Sequence, residues 1–186
     1  MLFKKLTLPC FLSLLSLSAY ATPYCTADQV SIHELALSAG GMMQTRSLYA
    51  IVNKTQTACK LLGTPAVWGM ATGKDIYLAK TPITKGQSVV LQPLAQPGSI
   101  PLDQLVWFSF RGNAASDGPT FNTIKVILPG ILNKTYTVHY SGYSTGVDSL
   151  SPIQSGTTDD LKRYFTCPSL KNNTWPLSAS TVVSCG

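Results

Sequence analysis

The stretch Val106-Trp107-Phe108-Ser109-Phe110 packs three aromatic rings and a β-branched residue into five positions, with a Pro-containing loop over 93–101 ahead of it. Such residues suit a pleated, half-buried surface and lose rotamer freedom in a helix, so the segment predicts a core strand. Working outward, the same signature recurs. Residues 47–52 (SLYAIV) are apolar at both parities and are closed by Asn53-Lys54-Thr55, which predicts a strand lying centrally between two layers. Val30 and Ile32 alternate with Ser31 and His33, and the apolar parity then moves to Leu35 and Leu37, as a β-bulge near Glu34 would cause.

Further short strands are predicted over 59–62, 66–70, 76–78, 88–91, 124–128 and 136–140, with a turn at Thr72-Gly73-Lys74 joining one hairpin. From 141 to 158 the chain is polar and Gly-rich. Thr158 can cap a short helix over 159–164 that opens with Asp159 and Asp160, and a last strand is expected over 180–184. About eight short strands, frequent turns and hardly any helical periodicity predict an all-β fold: an immunoglobulin-like antiparallel β-sandwich with disulfides and at most one short helix.

The amino terminus reads as a signal peptide over 1–21. Lys4 and Lys5 precede an apolar run over 6–17 that is short for a membrane span, and Ala19-Tyr20-Ala21 offers small residues for cleavage before Thr22. A lipid anchor on Cys10 is disfavoured, because Pro9 stands where a small residue is required. Residues 22–186 then form a single β-sandwich domain, exported to the periplasm or released, with no later apolar stretch long enough to span a membrane.

Four cysteines lie beyond the leader: Cys25, Cys59, Cys167 and Cys185. No Cys-x-x-Cys pair or neighbouring His gives metal-ligand spacing, so two disulfides are expected, and of three connectivities Cys25 with Cys59 and Cys167 with Cys185 close the more moderate loops. The formal charge of +6 falls to +4 without Lys4 and Lys5, and Lys162-Arg163 is the one adjacent basic pair left. Scattered single cations do not make a nucleic-acid-binding face.

Catalytic patterns stand or fall on their context. Gly142-Tyr143-Ser144-Thr145-Gly146 matches G-x-S-x-G, which would make Ser144 a hydrolase nucleophile with His139 or His33. A nucleophile elbow needs a helix after the serine, whereas Pro152 interrupts residues 147–155 and no His lies beyond His139. For a metal, His33 with Glu34 and His139 with a distant carboxylate are the available groups, and Met42-Met43 the available soft ligands; neither reaches a full ligand set, and no cofactor is implied. The acidic residues are scattered apart from Asp159-Asp160, so no glycosidase pair stands out. Sequons at Asn53, Asn133 and Asn172 are expected to mark exposed turns, and in a bacterial chain carry little meaning as glycosylation sites. For binding, the leads are Trp175 and Asn173 in the polar loop around 172–176, and Tyr143 in the Gly-rich stretch; Trp175 otherwise covers one end of the sandwich.

Cys25-Thr26-Ala27-Asp28, the strand ending Asn53-Lys54-Thr55, and Cys59-Lys60-Leu61-Leu62-Gly63-Thr64-Pro65 resemble a pattern of C-T, N-x-[ST] and C-x-L-x-G-x-P. The pattern is that of a bacterial exported immunoglobulin-like domain of unknown function common in actinobacterial lipoproteins, and the resemblance spans about residues 25–128. It implies a β-sandwich with Cys25 bridged to Cys59, and no activity. This chain departs from it in lacking a lipobox and in carrying the Cys167 to Cys185 tail. The expectation is a non-catalytic exported module presenting loops to a protein or glycan partner. The alternatives are a small serine hydrolase using Ser144, or a secreted virulence-type protein acting on host cells.

Overall fold

The computed structural model describes residues 21–39, 44–71, 74–77, 88–94, 99–113, 120–131, 133–156, 174–176 and 183–185. In chain order they form β1 (Val30–Ala39), β2 (Gln44–Asn53), β3 (Cys59–Leu62), β4 (Ala66–Ala71), β5 (Lys74–Tyr77), β6 (Ser88–Leu91) and β7 (Ser99–Pro101). A 3-10 turn at Leu102–Gln104 comes next, then β8 (Val106–Asn113), β9 (Phe121–Ile127), β10 (Tyr136–Ser144), β11 (Gly146–Leu150), β12 (Gln154–Ser155), β13 (Thr174–Pro176) and β14 (Val183–Cys185).

One sheet has the order β11-β8-β2-β1-β14, with β12 also on β8; the other has the order β10-β9-β4-β5. Setting β1, β2 and β8 against β5, β4, β9 and β10 reproduces the pairing of immunoglobulin-type strands A, B and E against C′, C, F and G. Strands β3 and β6 pair separately, as do β7 and β13.

The decisive stretch 106–110 is buried at every position. Phe108 and Phe110 point between the sheets, where Tyr49 stacks on both at centroid distances of 5.3 and 5.6 Å. Tyr140 and Phe121 complete the run from the opposite sheet, each pair 5.1 Å apart. In β2, residues 47–53 are all buried, which is why that strand is apolar on both faces. The β1–β2 register slips between Glu34 and Ala36, placing the bulge where the apolar parity changes.

Cys25 and Cys59 form a disulfide closing a loop of sequence separation 34. In the chain-entropy picture such a loop stabilises by about 4 kcal/mol. Backbone bonds reinforce it, with Lys60 N donating to Pro23 O at 2.8 Å and Cys25 N to Lys60 O at 3.1 Å. Cys167 lies outside the described residues, as do 159–164, so the second bridge and the short helix fall outside them too.

Three expectations need correction. The strand expected to end at Tyr140 runs on to Ser144, and the polar stretch beyond it contains β11 and β12 on the edge of β8. Trp175 is not in a loop: it lies in β13, in register with Ile100 of β7, whose side chain is buried. Asn53 marks a turn but is itself buried, with Nδ2 donating to Thr57 O and Leu91 O, and Oδ1 accepting from Thr55 N and Thr55 Oγ1. A side chain so committed anchors the turn from within rather than standing exposed on it.

Candidate functional site

The polar chemistry of the molecule gathers where β10 crosses the open side of the sandwich toward β1 and β2. The bulge brings Glu34 into the gap between sheets, its side chain only 3% exposed. Its carboxylate accepts from Ser141 N at 3.1 and 2.9 Å and from Ser141 Oγ at 2.9 Å, while His139 Nδ1 stands 3.7 Å away. Burial pushes the Glu34 carboxyl above its ordinary value, and the bonds from Ser141 partly oppose this. The Tyr49 hydroxyl lies under the same group, near His139 O at 3.5 Å, and burial holds its pKa well above the usual tyrosine value. His139 itself is 70% exposed.

Beside this bridge, Tyr140 Oη is 2.6 Å from both Thr45 Oγ1 and Ser144 Oγ, and those two hydroxyls are 3.2 Å apart. The triangle is closely backed. A Cβ at Gly112 would lie 2.1 Å from Ser144 Oγ, and one at Gly142 would lie 2.4 Å from the Tyr140 ring. Both positions therefore require glycine through close approach.

This geometry does not arm Ser144. Its side chain is fully buried, its hydroxyl is engaged by Tyr140 and Thr45, and the chain beyond it enters β11, a strand, where an elbow would need a helix. The two imidazoles are engaged elsewhere: His33 Nε2 meets Ser31 Oγ at 3.0 Å, and His139 faces Ser141 and Glu34. Burial lowers the His33 pKa. Glu34 is thus the distant carboxylate that meets His139. Among the described residues no group of three or more His, Cys, Asp or Glu side chains could hold a metal ion.

Of the residues expected to bind, Tyr143 stands 64% exposed near the end of β10. Asn173 lies outside the described residues, and Trp175 is placed by register rather than by surface. Tyr143 lies in β10 of the four-stranded sheet, and Trp175 in β13, which pairs with β7 in a separate two-stranded sheet. The feature that residue reading misses is a groove of about 340 Å³ between the first half of β1 and the first half of β10, with Lys54 and Lys134 at its rim. Each lysine is the middle residue of an Asn-Lys-Thr turn triplet, 53–55 and 133–135, but nothing in either triplet points to the other; only the packing of two sheet edges places both along one groove.

The chain matches no family model, no curated protein and no solved structure. Among the described residues no helix is long and apolar enough to cross a membrane.

Proposed function

We propose that the chain is an exported, non-catalytic binding module that engages a protein or glycan partner through the open side and the loop-rich end of its sandwich. The observation that carries this reading is the groove between β1 and β10, a concave surface with the exposed cations Lys54 and Lys134 among its lining residues. The disulfide and the leader-like amino terminus support export. Burial of Ser144 and the strand that comes after it weigh against hydrolysis.

The test is affinity capture from cell-envelope extract by the oxidised protein, run beside an ester- and peptide-hydrolysis screen. The module reading expects a reproducible partner and no hydrolysis that Ser144→Ala removes. Hydrolysis lost on that substitution would establish an enzyme instead.

A further inference from the structure

Among the described residues, each sheet leaves part of a backbone edge unpaired by any strand on the open side. On β1, Gln29 O accepts from Lys54 N at 2.7 Å. By the alternation of an antiparallel pair, Ser31 then bonds to β2, while Val30 and Ile32 aim amide and carbonyl away from it. On β10, Ser141 N and His139 O both point away from β9, toward Glu34 and Tyr49, so Thr137 faces outward by the same alternation. Strand β14 covers β1 only opposite Ala36 to Ser38, and no described strand pairs with the outer edge of β10.

Two bridges frame the space between these edges. At one end Tyr136 Oη donates to Ala27 O at 3.1 Å; at the other Ser141 N donates to Glu34. The groove opens between them, and Lys54 and Lys134, both exposed, outnumber Asp28, the single acid among its described lining residues. Between the bridges, residues 136–140 of β10 include no proline and no acid; the blunting devices present, the β1 bulge and the Glu34 carboxylate on Ser141 N, stand at one end.

We propose that this groove takes an extended segment of a partner protein, added as a strand to the outer edge of β10, with an acidic side chain directed at Lys54 and Lys134. This rests on the binding-module reading and gives it an occupant. The outward amides of Thr137 and His139 and the carbonyl of Thr137 supply the ladder, His139 O being shared with the Tyr49 hydroxyl. The lysine pair supplies the preference, since an anionic side chain gains from two nearby cations and a cationic one is repelled. A glycan has no alternating amide and carbonyl to match the ladder.

The probe is a capped peptide of alternating glutamate, valine and threonine, about seven residues long, a typical strand length, with a lysine-for-glutamate peptide as control. It is titrated to millimolar concentration into the isotope-labelled, oxidised protein while backbone amides are followed by NMR. The expected result is shifted and exchange-protected amides at Thr137 and His139, with binding roughly tenfold weaker for the control peptide and for the Lys54→Glu, Lys134→Glu double variant. Thr137→Pro, which removes an outward amide and leaves the β9 ladder intact, abolishes the effect while the protein stays folded.

Absence of any perturbation overturns the proposal, as does a perturbation centred on Tyr143 or equal binding of the two peptides. So do amides at Thr137 and His139 already protected in the free protein, whether by this chain's own residues or by a second copy seen in sedimentation. Envelope capture separates the levels. A partner retained by the double variant and by Thr137→Pro leaves the module reading standing and removes strand addition, whereas failure of both capture and peptide binding removes both.

Discussion

At the scale of single residues, the hydroxyl triangle of Thr45, Tyr140 and Ser144 is a packing device whose tolerance is set by Gly112. Gly112→Ala drives a methyl into Ser144 Oγ and Thr45 Oγ1, and is expected to cost about 1–3 kcal/mol in urea unfolding. Ser144→Ala removes one of two partners of a buried phenol and should cost about 1 kcal/mol. Glu34 sets a pH dependence whose sign comes from its raised carboxyl. The fold favours the protonated form, so this group's contribution is fully present below the unfolded value near 4.5 and is lost as pH rises through the folded value. Glu34→Gln, which keeps an acceptor for Ser141, should therefore gain stability relative to the parent near neutral pH, and the gap should close on acidification toward that value. Thermal melts at several pH values check this; a gap that widens on acidification would contradict it.

At the scale of elements, the outward and inward faces of β10 are separable by proline. Val138 is paired within the β9 ladder and buried, so Val138→Pro removes a ladder bond in the core and should cost about 3 kcal/mol or more. Thr137→Pro removes an amide with no described partner strand and should cost clearly less, by the same melts. Much at this scale is legible in the residues alone. Residues 47–52 and 106–110 carry apolar character on both faces because both faces are buried, and the parity break near Glu34 is the bulge itself. The illegible parts share a cause. Strand β11 reads Gly-Val-Asp-Ser-Leu and lies on a sheet edge, where half its positions need no apolar residue, so its composition resembles a loop. Trp175 reads as a loop residue because Asn172-Asn173 precede a strand only three residues long that itself ends in Pro176.

At the scale of the whole molecule, the two-sheet architecture and the Cys25–Cys59 bridge are both readable, since strand periodicity and cysteine count act locally. Replacing both cysteines by alanine should lower stability by about 4 kcal/mol, read by urea unfolding of the variant beside the oxidised parent. The groove is not readable, because Lys54 and Lys134 are 80 positions apart in numbering and meet only when β1 and β10 close the same side of the sandwich. The measurement that bears most directly on this is residue-resolved amide hydrogen exchange of the oxidised protein, alone and with its partner. The account predicts slow exchange at Ile51, Phe108 and Ile124 throughout, and fast exchange at Ile32 and Thr137 that slows at Thr137 when the partner is present. Thr137 protected in the free protein, or unprotected in the complex, would contradict it.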